Sequence, residues 1–587
     1  MSSDMSVRSA ERRTHRSRLL IALLALIAII AASPAAVTIV SQNNADATAD
    51  ATPDVAALAG PLADQDLIWG ECEFSDDGPP IPGADLSNVE CSTIEVPRNW
   101  HDPDLETTWE VHISQALNID PEDPDYHTTI ITHPGGPFTS GLSYSATVQM
   151  YTPELRPTTN YVSFDQRGLG QSSHASCEYE YDPADGDIAV VQAIGEACSQ
   201  DPDVATMTTE QAAFDMDFIR HLLGLDSVMY MGYSYGTWIG TWFGSLFADN
   251  IERMVFDSST DSTRASIQHN YDAAHEGRDR QFRLHMMNWI ARNDATYGLG
   301  ADPETIWRRY FAATGDTEMS TAAYYAWTAT NVNLAFSSPV GYPFAASLVS
   351  RIITEGEAAD RPVVPTESAA RIIDGMIELT DEQRAAAHER LGALSAPPAG
   401  GPGETIRDTY DYLIDFTKCT DGQWEQGLDY WEHFNERTAL VAPLSAQLKL
   451  LDVPQVCAFW PTESKMPALG DSFPETIVLQ SELDSMTPFE QGRAAGTGLP
   501  NTSLIAVDNE SVHGVFPYGT EEVDRPVIDF LLGGDRPAQT IVAAGKPLPL
   551  EQSTFESWVP LDADADHAGA VPQFTDPTMP ARVGRVG

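Results

Sequence analysis

The chain has 587 residues, 42% of them hydrophobic, which is enough to bury a large core and too apolar for a disordered chain. Against 33 Lys and Arg stand 86 Asp and Glu, a formal net charge of −53 that repels nucleic-acid phosphates and anionic lipid headgroups. A nucleic-acid partner is excluded, as is a membrane partner beyond an N-terminal anchor, and the acidic excess reads as a solubilising surface.

The first 40 residues read as an export segment. Arg8, Arg12, Arg13, Arg16 and Arg18 precede the apolar run LLIALLALIAIIAA at 19–32, a signal-peptide pattern with cleavage points after Ala35, Ala47 or Ala49. Extended to Val40, the same run is long enough for an uncleaved anchor. No cysteine precedes Cys72, so no lipid-attachment site lies near it. Residues 41–66, rich in Ala, Asp, Thr and Pro without periodicity, read as a flexible tether.

From residue 67 to 261 short β-rich runs follow one another: CSTIEVP at 91–97, TWEVHISQAL at 108–117, TTIITHPGG at 128–136, YVSFDQRG at 161–168, SVMYMGYS at 227–234 and RMVFDS at 253–258. The helical TTEQAAFDMDFIRHLLG at 208–224 has a Thr cap at its start and Gly224 at its end. Strands alternating with helices predict an α/β fold with a mostly parallel sheet covered on both faces. Residues 262–465 break the rhythm with helix-like segments such as SAARIIDGMIELTDEQRAAAHERL and RDTYDYLIDFTKC, separated by the flexible APPAGGPGE, and read as a large helical cap insertion. The sheet resumes over 466–535 with ETIVLQSELD, TSLIAVDNESVHG and the helix EEVDRPVIDFLLGG. Residues 536–587 read as a C-terminal tail.

Within GYSYG, residues 232–236, Ser234 sits between two glycines, after the strand-like VMYM and before the helical TWIGTWFGSLF. That is the pattern of a strand-to-helix elbow holding a nucleophile, and a lone GxSxG without such flanks is weak. A serine hydroxyl needs a base, and the elbow arrangement expects an acid and then a histidine further along the chain. His513, beside Gly514 in the loop after an apolar strand, is the candidate base, while His221 and His388 lie in helical segments. Asp484, ending IVLQSELD, is the candidate acid, with Asp257 at the end of RMVFDS as its rival. The oxyanion donors are expected to be the backbone N–H of Tyr235 and, from the loop HPGGPFTSG at 133–141, that of Gly136, since Pro137 has no N–H.

The pieces HPGGP, DQRGLGQS at 165–172, GYSYG, LDSMTP at 483–488 and VHG at 512–514, in this order, resemble the secreted tripeptidyl aminopeptidases, α/β-hydrolases related to proline iminopeptidase. The resemblance extends from about residue 69 to 535. It implies an α/β-hydrolase fold and release of short peptides, tripeptides in this family, from substrates with a free N-terminus. It also implies that Asp165, Arg167 and Gly168 shape a loop beside the site. Two departures stand out: HPGGPFTSG replaces the usual NPGGPGGSG, placing His133 and Phe138 in the oxyanion loop, and VHG replaces GHG. An ester substrate is the alternative within the same chemistry. A non-catalytic binding protein is the alternative outside it, disfavoured by the complete Ser, Asp and His set.

The six cysteines, Cys72, Cys91, Cys177, Cys198, Cys419 and Cys457, form an even set suited to disulfides in an exported chain, with sequence neighbours as the preferred pairs among 15 connectivities. No CxxC or Cys/His cluster suggests a metal, and nothing in the sequence points to a cofactor. The aromatic runs YYAW at 324–327 and DYWEHF at 429–434 read as core packing, with lining of substrate subsites as the alternative.

Overall fold

A computed structural model describes residues 52–555, apart from 76–77, 103–106, 265, 316, 331–333, 360–364, 395–404, 422–423, 449, 452, 462–463 and 465. The export segment, the first part of the expected tether and the end of the expected tail lie outside the described residues. Among the described residues no helix is long and apolar enough to cross a membrane.

Nine strands form the main sheet and two more a small one: β1 (Val89–Pro97), β2 (Thr108–Ala116), β3 (Thr128–His133), β4 (Thr159–Phe164), β5 (Cys177–Tyr181), β6 (Val228–Tyr233), β7 (Ile251–Asp257), β8 (Ile406–Tyr410), β9 (Glu475–Ser481), β10 (Thr502–Asp508) and β11 (Ile541–Ala544). The main order is β1-β2-β4-β3-β6-β7-β9-β10-β11. The pairs β1–β2 and β2–β4 are antiparallel and every other pair is parallel. This is the α/β-hydrolase fold.

The central strands β3, β4 and β6 are buried along their whole length; none carries an Asp, Glu, Lys or Arg, and β6 reads as a nearly continuous apolar run. Alternate residues face opposite layers. Tyr230, Phe256, Val478 and Leu504 join one core with Trp238 and Phe243 of helix Tyr235–Leu246. Met229, Met231, Val255, Ile477 and Val507 join a second with Val523 and Val527 of helix Glu521–Leu531. Helix Thr209–Leu222 starts where Thr208 accepts the Gln211 N–H, and Gly224 beyond its end is left-handed at φ 68°, the start and stop chemistry expected from the sequence.

Between β7 and β9 the chain is mainly helical. Residues from Phe282 to Leu448 there build a third core that includes Trp289, Trp307, Trp327 and Tyr342. Three local readings are corrected. Residues 407–410, read as the start of a helix, belong with Ile406 to β8 and pair antiparallel with β5; the Ile-Arg-Asp-Thr-Tyr run has too little apolar content to hold a helix, and a distant strand satisfies its backbone instead. In the expected tether, Asp54 caps a helix at Val55–Ala59 whose Val55 and Ala59 are buried in the main core; a cap and an i,i+4 apolar pair suffice. In the expected tail, β11 extends the sheet and Leu548 joins the core built between β7 and β9.

The cysteines pair as Cys72–Cys91, Cys177–Cys198 and Cys419–Cys457, with Cα separations of 4.9, 5.2 and 4.8 Å.

Candidate active site

All the sequence-selected polar groups follow the carboxyl ends of parallel strands, the edge where open α/β sheets build their sites. Ser234 follows β6, the loop with Gly136 follows β3, Asp484 follows β9 and His513 follows β10. Of residues 228–244, Ser234 alone is not buried. Its backbone lies at φ 54°, ψ −123°, a region that costs a non-glycine residue on the order of 1–3 kcal/mol unless its surroundings hold it. They do: its N–H donates to the Asp257 carbonyl at 2.9 Å, and its carbonyl accepts from the Thr237 N–H at 2.9 Å and the Thr237 hydroxyl at 2.7 Å. The flanking glycines are sterically required, since a Cβ on Gly232 would lie 2.4 Å from the Gly236 carbonyl oxygen, and one on Gly236 2.8 Å from the His133 carbonyl oxygen.

His513 and Asp484 are brought together. The His513 Nδ1–H donates to the Asp484 carboxylate at 2.9 Å, which directs Nε2 away from the acid. Asp484 is fully buried, and its carboxylate also accepts from the Met486 and Thr487 N–H groups at 2.8 and 3.0 Å and from the Thr487 hydroxyl at 3.0 Å. Burial opposes protonation of His513. The neighbouring Asp484 charge and hydrogen bond, with Asp257 adding to them, outweigh burial and raise its pKa above the usual histidine value.

Asp257, the rival acid, has a different place. Its carboxylate accepts the N–H groups of Val515 and Phe516 at 2.7 and 2.6 Å, and the adjacent Ser258 hydroxyl accepts the Gly514 N–H at 2.8 Å. The end of β7 thus ties the Ser234 backbone to the loop that follows His513. Burial pushes the Asp257 carboxyl up to about 6 against these hydrogen bonds. From the region between β7 and β9, the Ser337 carbonyl accepts the His513 N–H at 2.6 Å, and the Ser485 hydroxyl donates to the Phe336 carbonyl at 2.6 Å.

The loop after β3 lies directly against the elbow, for a Cβ on Gly135 would approach Ser234 Cβ to 2.9 Å. Tyr235 is the first residue of its helix, so its N–H has no helical carbonyl to meet, and the partly exposed Gly136 N–H has no hydrogen-bond partner among the described residues. The departure at His133 has a physical account. The Gly135 N–H donates to His133 Nδ1 at 3.1 Å and His133 Nε2 lies 3.3 Å from Gln166 Oε1, so the proton sits on Nε2. Burial, only partly offset by Gln166, lowers the His133 pKa to about 4 and keeps the ring neutral. Phe138 is 48% exposed at the edge of this loop.

Asp165 anchors the far end of the loop by accepting from the Ser140 hydroxyl at 2.6 Å and the Gly141 N–H at 2.7 Å. Arg167 points elsewhere, into a fully buried two-point ion pair with Asp215 at 2.6 and 2.8 Å. Gly168 adopts φ 89° and donates its N–H to the Ser173 carbonyl. His221 stacks on Phe218, and His388 pairs with Asp374 far along the chain from these loops. In the aromatic runs Trp327 and Trp431 are buried in cores. Sequence reasoning missed Gln166 and the bracing role of Asp257 and Ser258; the one available signal was that FDSS ends the strand between those bearing Ser234 and Asp484. Among the described residues no cluster of His, Cys, Asp or Glu is arranged to hold a metal ion.

A model of the α/β hydrolase fold matches residues 128–340, and one described as TAP-like protein matches residues 442–543. The chain is 26% identical over 452 residues to a tripeptidyl aminopeptidase of Streptomyces coelicolor, covering 72% of this chain and 77% of that protein. It is 24% identical over 515 residues to serine protease Hip1 of Mycobacterium tuberculosis, covering 82% and 92%. Among solved structures, proline iminopeptidase of Mycobacterium smegmatis aligns with 75% of this chain and 98% of its own, at a TM-score of 0.31 and 11% identity.

Proposed function

This chain belongs to the tripeptidyl aminopeptidase-related α/β-hydrolases, and from that premise we propose that it is an exported serine exopeptidase releasing short peptides, three residues long, from free N-termini. Ser234 attacks the carbonyl carbon of the scissile bond while His513 takes its proton through Nε2. Asp484 holds the imidazole in the tautomer that leaves Nε2 free and stabilises the imidazolium that forms. The N–H groups of Tyr235 and Gly136 receive the oxyanion. His513 then returns the proton to the leaving amine, giving an acyl-enzyme on Ser234 that water hydrolyses by the same steps.

The observation that carries this reading is the pair of the part-buried His513 with the buried Asp484, joined through Asp257 and Ser258 to the strained backbone of Ser234. Export is supported by the basic and apolar N-terminal sequence and by three disulfides in a chain of six cysteines. The length and polarity of the released fragment rest on the named relatives.

The test is to incubate the purified protein and its Ser234→Ala variant with free-amine and N-acetylated peptides and identify the cut bonds by mass spectrometry. Tripeptides released only from free-amine peptides, and only by the unmutated protein, are expected. Cleavage of simple esters without peptide cleavage would move the reading to an esterase, and no serine-dependent turnover would move it to a binding role.

A further inference from the structure

Helix Gln268–Arg280 and the turn after it carry three arginines, Arg278, Arg280 and Arg283, and two of them are neutralised locally. Arg280 makes a two-point bridge to Glu490 at 2.7 and 3.0 Å, and Arg283 pairs with Asp279 at 3.1 Å. Arg278 differs. Its guanidinium Nη2 lies 4.0 Å from the Met486 sulfur, and among the described residues no carboxylate comes within ion-pair distance of it. Arg253 and Arg384, also part-buried and without a carboxylate, donate instead to backbone carbonyls, whereas among the described residues the Arg278 guanidinium meets only the Met486 sulfur.

Its position is fixed by Gly277. A Cβ there would lie 2.6 Å from Pro488 Cγ, 3.2 Å from the Ser485 carbonyl oxygen and 3.5 Å from that of Asp484. Only glycine lets the helix lie flat on the turn that carries the acid. The next residue, Arg278, is then placed beside Met486, two residues from Asp484. Its charge reaches His513, where it opposes protonation of the ring, and burial lowers its own pKa. A desolvated cation without a partner is costly, and the planar guanidinium fork matches a carboxylate in two-point geometry.

Under the mechanism proposed above, His513 protonates the leaving amine, so the residue following the scissile bond lies on the His513 side of the site. We propose that Arg278 is a specificity-determining residue of the leaving-group subsite that binds a carboxylate carried by the first residue after the scissile bond. This rests on the peptidase reading. A carboxylate there has two sources, the C-terminus of a tetrapeptide or an acidic side chain at that position in a longer peptide. The protein is then tuned to finish short peptides or to cut before Asp and Glu.

The experiment compares kcat/KM for a free-amine tetrapeptide with a C-terminal carboxylate, for its C-terminal amide, and for a longer peptide amide with Asp or Asn at the fourth position, using the full chain and its Arg278→Met and Arg278→Lys variants. The unmutated protein is expected to favour the acid over the amide by about tenfold or more, mainly through KM. The ratio is expected to fall to near one in R278M and to an intermediate value in R278K, whose charge remains without the fork. The Asp and Asn pair tells which source of carboxylate is read. Equal cleavage of the charged and neutral members of both pairs by the unmutated protein, or an undiminished ratio in R278M, overturns the proposal alone. Absence of Ser234-dependent cleavage of every peptide overturns the peptidase reading and this proposal with it.

Discussion

Two buried carboxylates lie close to His513, and exchanging each for its amide separates their roles. In Asp484→Asn the group facing His513 Nδ1 becomes either a carbonyl without charge or an N–H₂ that meets the ring N–H, and the ring loses the partner that fixes its tautomer. The same exchange in a serine-histidine-aspartate site costs on the order of 10⁴-fold in kcat. In Asp257→Asn the damage is to positioning. The carboxylate accepts two backbone N–H groups, from Val515 and Phe516, and hydrogen bonds to charged groups contribute about 1.5–3 kcal/mol each. Asparagine can keep one acceptor and must turn its N–H₂ toward the other donor. The loss of about 2–3 kcal/mol, expressed wholly in the placement of His513, lowers kcat/KM by about 30- to 150-fold. Because both carboxylates raise the His513 pKa, and the base works only when neutral, activity falls as pH drops through a value above 6.5. Either exchange moves that acid limb to lower pH, Asp484→Asn by more. The assay is kcat and kcat/KM on a tripeptidyl chromogenic substrate from pH 5 to 9. A loss on the order of 10⁴-fold in Asp257→Asn beside a modest one in Asp484→Asn would refute the assignment of the acid.

Further outcomes are expected from other parts of the molecule. His133→Ala leaves the buried Gly135 N–H without its acceptor, a cost of about 1–3 kcal/mol, so kcat is expected to fall about 5- to 150-fold, while His133→Asn restores most of it; equal losses in both variants would show that the Nδ1 acceptor is not what holds the loop. Burial raises the pKa of Asp421 to about 7 and of Glu482 to about 8. The native state therefore keeps protons that the unfolded chain has released, and stability drains away as pH rises from 6.5 to 8, by about 2 kcal/mol at 1.4 kcal/mol per unit and group. Calorimetry is expected to record a Tm that falls over this range and falls less in Glu482→Gln; a Tm that rises would contradict the sign. Breaking the Cys419–Cys457 bridge, which closes a 38-residue separation, is expected to cost about 4 kcal/mol by chain entropy, read as a lower urea midpoint for Cys419→Ser with Cys457→Ser than for the unmutated protein.

Much of the scaffold was legible along the chain because its signals are local. Apolar runs bounded by turns marked β3, β6, β7, β9 and β10. The glycines around Ser234 marked a turn tight enough that their own Cβ atoms would collide with backbone. Asp484 and His513 were selected from chain order, since each follows an apolar strand of the parallel part of the sheet. What escaped were partnerships across long separations. Asp257 stands 258 residues before the N–H it binds on Val515, Gln166 meets His133 across 33 residues, and β8 finds β5 across 225–233 residues, a pairing its own composition does not announce. Arg278 lacks a carboxylate only because the helix that carries it rests on the Asp484 turn while its neighbours found Glu490 and Asp279. The sequence by itself determined the main strands, the elbow and the order of the candidate groups along the chain, since period, cap and turn chemistry act within a few residues. Tertiary structure decided which carboxylate faces the histidine, which braces its loop and that Arg278 meets no carboxylate among the described residues, because hydrogen bonds and charges are settled by distance in space and burial, and neither is written in the spacing along the chain.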